Sequence, residues 1–273
     1  LDPDAEGVLP VCLGKATRVC ELLTDKDKVY EAVLLLGQQT DTQDISGQVL
    51  KRAEVHVTED EVKEVIESFV GEIKQIPPMY SALKVNGQKL CDLARKGITV
   101  ERKARAVTIY EIEILAVRLP RITMRVHCSK GTYIRTLCED IGQALGCFGC
   151  MEALTRTQAA GFTLSHAYRI SEIEEKVHML GKDKPYTEWN CDMFSDLLYP
   201  IDYVFMDYPS VTVQKEAGKL LYNGNRIPDT MAERQTKETA ELYRIYDWTG
   251  KFAGLYTYIS KDTCYKPVKL FME

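Results

Sequence analysis

The chain has 273 residues, 45% hydrophobic and 27% charged, with a formal net charge of −5. That length lies near the point where a single core stops growing, so one large domain and one small domain are expected. No run approaches the roughly eighteen apolar residues of a membrane helix, and the acidic balance counts against wholesale nucleic-acid binding while leaving room for a local basic patch.

From the first residues, Pro3 pushes Asp2 into an extended or turn conformation, and the Gly and Pro residues that follow fix a compact loop. An aspartate held on such a loop can present its carboxylate to a pocket; a plain turn-forming Asp-Pro is the simpler alternative. Lys28–Leu36, rich in Val, Leu and Tyr, reads as a strand, and Gln38–Gly47 as a polar loop. Thr58-Glu59-Asp60-Glu61 is a capping box opening a helix to about Val70, with Val62, Val65, Ile66 and Phe69 at helical spacing. Pro77-Pro78 starts an extended segment, and Lys89–Lys96 reads as a short helix ended by Gly97.

Between Lys84 and Arg105 stand seven basic residues, Lys84, Lys89, Arg95, Lys96, Arg102, Lys103 and Arg105, against the two acids Asp92 and Glu101. Val107–Ala116 and Arg121–Cys128 alternate with period two, placing Ile122, Met124, Val126 and Cys128 on one face. Ser129-Lys130-Gly131 turns the chain into a helix from about Thr132 to Leu145, with Ile134, Leu137, Cys138, Ile141 and Leu145 as its apolar stripe. Ser171-Glu172-Ile173-Glu174 caps another helix. The polar stretch 182–209 is where a domain boundary is expected. Beyond it come a helix around Val213–Tyr222 and strands at Leu242–Tyr246, Phe252–Ile259 and Lys266–Phe271, with a hairpin turn at Asp247–Lys251.

Nine cysteines, several at apolar positions, suit reduced thiols in a cytoplasmic protein better than a disulfide framework. Cys147 and Cys150 form a Cys-x-x-Cys, but no second pair or spaced histidines accompany it, so no metal is expected. No phosphate loop, dinucleotide fingerprint, His-Glu-x-x-His or nucleophile elbow is present. An enzyme built from this chain would need no cofactor.

Six blocks in chain order carry a resemblance. Leu1-Asp2-Pro3-Asp4-Ala5-Glu6-Gly7, continuing to Thr17, is similar to the signature of the TruB pseudouridine synthases, in which Asp2 corresponds to the catalytic aspartate. Asp27-Lys28-Val29-Tyr30 resembles the strand whose tyrosine stacks on the target base, and Leu36–Thr42 with Asp44 and Gly47 resembles the loop that follows. Gln75–Lys84 is like the family's RNA-gripping insertion, spanning about 75–106 here. Cys128–Thr136 resembles the block supplying a second aromatic, Tyr133, and an arginine, Arg135, beside the aspartate. Leu154-Thr155-Arg156-Thr157 resembles the block whose leucine closes the base pocket. The family also carries, upstream of the aspartate, a Lys-Pro strand and a histidine that helps flip the base. Because Leu1 falls inside a motif, such a segment is expected to precede it.

The resemblance implies an α+β pseudouridine synthase fold, a mixed and mainly antiparallel sheet with flanking helices over residues 1–205. A small PUA-like β-barrel domain that binds RNA is expected over 206–273. It implies isomerisation of uridine 55 in the T-arm of tRNA, with Asp2 as nucleophile, Arg135 holding it ionised, and Tyr30, Tyr133 and Leu154 around a flipped base. Lys84 and Lys130 are the lysines expected at the RNA. A charge pair near 4 Å is worth roughly 4 kcal/mol at an effective dielectric of 20, enough to oppose the desolvation that neutralises a buried carboxylate. Flipping costs a few kcal/mol, and stacking returns about 1–3 kcal/mol per base. The expected partner is tRNA, with no membrane and no required protein partner, and the chain is expected to act as a monomer. Three alternatives are a tRNA-folding chaperone that needs no catalysis, a guide-RNA-directed synthase and, most remote, a zinc-stabilised interaction domain through Cys147 and Cys150. Retention of Asp2, Tyr30 and Arg135 favours catalysis over the first. The acidic chain and the long insertion count against the second.

Overall fold

The computed structural model of the chain describes residues 5–182, 184–234 and 240–272. It divides into two compact units, Leu1–Pro10 with Thr24–Ala167, and Val11–Leu23 with Tyr168–Glu273.

The first unit is built on a seven-stranded sheet. Lys28–Leu36 is its central strand, where β-branched, leucine and tyrosine side chains suit a surface packed on at least one face. Gly149–Ala159 and Arg121–Cys128 flank it, both antiparallel, and Arg105–Arg118 and Gly71–Gln75 extend the sheet in the same sense. Only Glu6–Gly7 runs parallel to its neighbour, against Thr155 and Arg156. The sheet is therefore mixed and mainly antiparallel, as the family resemblance implies. The alternation of the Arg121–Cys128 strand is also met: Ile122, Met124, Val126 and Cys128 are fully buried. Its other face is charged, with Arg121 on Glu152 at 2.8 Å and Arg125 on Glu31 at 2.9 Å. Such exposed pairs each add about 0–1 kcal/mol, so the buried face holds the sheet.

Two helices cover that face. Glu59–Glu67 starts at the predicted capping box, with the Thr58 N–H on Glu61 Oε2 at 2.7 Å and the Glu61 N–H on Thr58 Oγ1 at 3.3 Å. It buries Val62 and Ile66 and ends earlier than its apolar pattern implies, because the amides of Phe69 and Val70 bond three residues back in a tightened last turn. Ile134–Ala144 buries Ile134, Leu137, Cys138 and Ile141. Its Gly142 meets the start of the Gly149–Ala159 strand so closely that a Cβ there would lie 2.2 Å from the Gly149 nitrogen. That backbone approach sets how far the helix sits from the sheet.

Three elements differ from expectation. Gln38–Thr40 is a strand paired with Val49–Arg52, not part of a loop; its partner lacks the alternation that would announce it. The later helix begins at Ile170, and Glu172 caps it by accepting the Arg169 N–H at 2.6 Å, so Ser171 lies inside the helix. The helix expected around Val213–Tyr222 is a 3-10 turn, Lys215–Ala217, running into the short helix Gly218–Tyr222, and Val213 instead ends a strand that starts at Ser210.

In the second unit six strands form a nearly closed barrel. Tyr243, Tyr256 and Tyr265 fill its interior. The expected turn at Asp247–Lys251 is organised by the buried Asp247 carboxylate, which accepts from the Thr249 amide at 2.8 Å, the Lys251 amide at 3.0 Å and the Tyr222 hydroxyl at 2.7 Å. Among the described cysteines, Cys128, Cys138, Cys147, Cys150 and Cys264 are buried. Burial pushes the Cys128 thiol up to about 12, which leaves it an inert small hydrophobe. No helix of the described residues is long and apolar enough to cross a membrane.

The Gly142 contact gives a direct prediction. Gly142→Ala forces the helix off the strand and lowers stability by about 1–3 kcal/mol, read as a lower urea midpoint. An unchanged midpoint would mean that helix and strand have room to part.

Candidate active site

Arg135 is the second residue of the Ile134–Ala144 helix and is only 6% exposed. Its Nη1 donates to the Thr42 carbonyl at 3.1 Å and to Asp44 Oδ2 at 3.3 Å, while Nη2 donates to the Tyr80 carbonyl at 2.9 Å. One guanidinium thus joins the helix start to the loop after the central strand and to the root of the insertion. An arginine desolvated this far needs such acceptors, since a buried charge without them costs several kcal/mol.

The loop is built to receive it. Asp44 turns its other oxygen, Oδ1, toward the Ser46 amide at 3.0 Å and the Thr42 hydroxyl at 2.7 Å, leaving Oδ2 for Arg135. Gln43 adopts a left-handed conformation, φ 65°, uncommon for a side chain of its size. It is held there from several directions: its carbonyl accepts the Met151 amide at 3.0 Å, its Oε1 accepts the Thr136 hydroxyl at 2.8 Å, and its amide group donates to Glu139. Glu139 also accepts from Gln39 at 2.7 Å. Strained residues fixed this tightly are characteristic of functional sites.

Tyr133 caps the same helix, and a side-chain amide fixes its backbone. The Tyr133 N–H donates to Gln75 Oε1 at 3.0 Å and its carbonyl accepts from Gln75 Nε2 at 3.2 Å, with Gln75 1% exposed. Tyr30 and Leu154 lie on neighbouring strands, opposite Arg156 and Ala32 respectively, and both pack half-buried against the main core that includes Ile134 and Leu137. The structure therefore brings Tyr30 and Leu154 onto one face, packed on the core that includes Ile134, and Tyr133 and Arg135 onto the start of the helix that carries Ile134.

Asp2 lies outside the described residues. The Val8 N–H donates to the Arg156 carbonyl at 2.8 Å, and the buried Arg156 side chain donates from Nε to the Val8 carbonyl at 2.7 Å. Gly7 has φ 119°, and a Cβ there would meet the Arg156 carbonyl oxygen at 2.2 Å, so this register belongs to glycine alone. The two lysines stand elsewhere: Lys84 is exposed in the insertion, and Lys130 pairs at the surface with Asp25 at 2.9 Å.

Sequence reasoning assigned no role to Asp44, Gln43, Gln75 or Arg156. Asp41, Asp44 and Gly47 are the residues of side-chain-capped turns, which signal a rigid loop without naming the group it holds. Nothing in the spacing of Gln75 or Arg156 marks the backbone atoms they bind.

Comparisons with known proteins identify the fold and the family. Two solved structures share the fold over all of this chain: a Cbf5-Nop10-Gar1 complex, at TM-score 0.69, 25% identity and 74% coverage of that chain, and an H/ACA RNP bound to a substrate RNA containing 2′-deoxyuridine, at TM-score 0.71 and 23% identity. The fold is that of the pseudouridine synthases. A model of the N-terminal domain of TruB family pseudouridylate synthases matches residues 1–134, and one of the tRNA pseudouridylate synthase B C-terminal domain matches 135–206. The tRNA pseudouridine synthase B of Lachnoclostridium phytofermentans is 51% identical over 283 residues, covering all of this chain and 88% of that protein. That of Clostridium kluyveri is 40% identical over 272 residues with the same coverage. The chain belongs to the TruB family and is an isomerase.

Two predictions arise from the Ile134–Ala144 helix. Asp44→Asn removes the charge facing Arg135 and loosens the loop. Turnover falls by about 10²-fold, the scale of a misplacement near 1 Å, while RNA affinity changes little; single-turnover assays with filter binding read both, and unchanged turnover would contradict the role. Next along the helix, burial and then the Glu139 charge lift the Asp140 carboxyl from its ordinary 3.8 to about 6. The folded state thus holds this proton more tightly than the unfolded chain, and the resulting loss of stability is absent below the ordinary value and complete above about 6. Asp140→Asn therefore raises Tm at about pH 8, and the gain vanishes toward about pH 4; a gain independent of pH would rule out this cause.

Proposed function

We propose that the chain converts uridine 55 in the T-arm of tRNA to pseudouridine, using Asp2 as nucleophile on a base flipped out of the stack. The observation that carries the reading is the buried Arg135 guanidinium, held at the helix start by Thr42, Asp44 and Tyr80. Such a fixed cation is suited to keeping a nearby carboxylate ionised in a site that excludes water.

The reaction breaks the bond between C1′ and N1, turns the freed uracil, and joins C1′ to C5, with the C5 proton passing to solvent and N1 taking up a proton in its place. Asp2 supplies the carboxylate. Tyr30 stacks on the flipped base and offsets part of the unstacking cost, about 1–3 kcal/mol. Tyr133, its backbone clamped by Gln75, and Leu154 supply the remaining walls. The short pairing of Glu6–Gly7 with the Gly149–Ala159 strand anchors the chain just after Asp2, on the same strand that carries Leu154. The basic insertion grips the RNA backbone, Lys84 included, and Lys130 adds a phosphate contact by leaving Asp25. The chain works as a monomer in the cytoplasm, on tRNA alone.

Tritium release from tRNA labelled at uridine C5 tests this. Release by the chain is expected, falling at least about 10³-fold for Asp2→Asn and disappearing when uridine 55 of the tRNA is replaced by cytidine. Wild-type release by Asp2→Asn would remove the nucleophile assignment. Release from the altered tRNA would remove the T-arm assignment. Tight binding without release from either protein would leave the chaperone reading in its place.

A further inference from the structure

The two groups that receive Arg135 Nη1, the Thr42 carbonyl and the Asp44 carboxylate, stand on either side of Gln43. Rotation of the Gln43 backbone would swing one relative to the other, and the guanidinium could not keep both. Gln43 holds a left-handed conformation, φ 65°, which a residue with a long side chain seldom adopts unaided. The hold that keeps it there comes largely from the helix that carries Arg135.

That helix takes the Gln43 side chain at both ends of its amide. Thr136, 2% exposed, donates its hydroxyl to Gln43 Oε1 at 2.8 Å, and three residues on Glu139 accepts from Gln43 Nε2. An ionised carboxylate can only accept, so Glu139 fixes which end of the amide faces it and leaves the carbonyl end for Thr136. The other Glu139 oxygen accepts from Gln39 Nε2 at 2.7 Å. One oxygen thus serves the strand before the loop and one the loop itself. Glu139 is half-buried, where hydrogen bonds to an ionised group are stronger than in water. It lies four residues beyond Arg135, on the same side of the helix. A single helical surface therefore presents both the cation and the group that shapes its receptor.

We infer that Glu139 is a positioning residue for the reaction: by gripping Gln43 it sets the Thr42 carbonyl and the Asp44 carboxylate where Arg135 can bond to both. It acts through Gln43 and Asp44 and not on the RNA. The inference rests on the reading of Arg135 as the cation that keeps the reacting carboxylate ionised. When Glu139 is lost, the Thr136 hydroxyl and the Met151 amide still hold Gln43, so the effect is smaller than that of replacing Asp44.

The test compares the whole chain with Glu139→Ala, with Gln43→Met, and with Glu139→Ala combined with Asp44→Asn. Gln43→Met removes the same grip from the loop side and leaves the charge beside Asp140 in place, so it also serves if Glu139→Ala fails to fold. Single-turnover rates on tRNA fall about tenfold for either variant, against about 10²-fold for Asp44→Asn, while tRNA affinity stays within about twofold. The combined variant is no slower than Asp44→Asn alone, because both changes act on one contact; independent roles would multiply the losses to about 10³-fold. Hydrogen exchange shows the Ser46 amide, which bonds to Asp44, losing protection while Leu137 in the helix keeps its own. Cys138→Ala, in the buried core of the same helix, lowers Tm without slowing the reaction, which separates positioning from loss of stability. Unchanged rates, multiplied losses in the combined variant, or unchanged protection at Ser46 would each overturn the inference. Absence of tritium release from the wild type, or release that persists in Asp2→Asn, would count against the proposed reaction instead.

Discussion

Burying a guanidinium is tolerable only where its N–H groups find acceptors, and at Arg135 the acceptors come from two loops that are far apart in sequence. The Asp41–Gln48 turn, the root of the insertion and the first turn of the Ile134–Ala144 helix therefore share one constraint. Gln75 adds a second tie, because it ends the strand that leads into the insertion and clamps the backbone of Tyr133. Moving any of these segments strands a buried polar group. That is how a site assembled largely from loops is given the rigidity of the sheet and helix beneath it.

The fold is legible in the sequence wherever one periodicity governs burial. The Arg121–Cys128 strand, the Thr58 capping box and the stripe from Ile134 to Ile141 all follow from local pattern, and the structure places them as the pattern implies. Legibility fails where a side chain acts on distant backbone. Glu172 caps a helix for Arg169 without a Ser or Thr in the usual place, and Gln38–Thr40 becomes a strand because of a partner nine or more residues away with no alternation of its own. The candidate site divides the same way. Motif resemblance marks Tyr30 and Leu154, which pack on one core, and Tyr133 and Arg135, which stand at one helix start. It does not disclose that Arg135 takes Asp44 as its charge partner, or that Arg156 holds the Val8 carbonyl, because those are contacts across more than ninety residues of chain.

Charge is partitioned within the first unit. The outer face of the sheet pairs Arg121 and Arg125 with Glu31, Glu113 and Glu152, whereas Lys84, Arg102, Lys103 and Arg105 of the insertion have no ion-pair partner among the described residues. A chain with a net charge of −5 can in this way present a local positive surface to a polyanion. Lys130, held by Asp25 at the surface, stands outside that arrangement. The Pro77 carbonyl, which anchors Arg102, and the Tyr80 carbonyl, which binds Arg135, lie three residues apart on one stretch of backbone. The insertion and the candidate site are thus tied to one short stretch of backbone.

The most direct test of this account is hydrogen exchange in Arg135→Lys compared with the wild type. Lysine keeps the charge but cannot reach acceptors in both loops. The amides of Ser46 and Gln48, which bond to Asp44 and Asp41, and the amide of Cys91, which bonds to Ser81, are predicted to lose protection together, while Leu137 in the helix keeps its own. Loss in one loop alone, or in neither, would contradict the claim that a single guanidinium couples them.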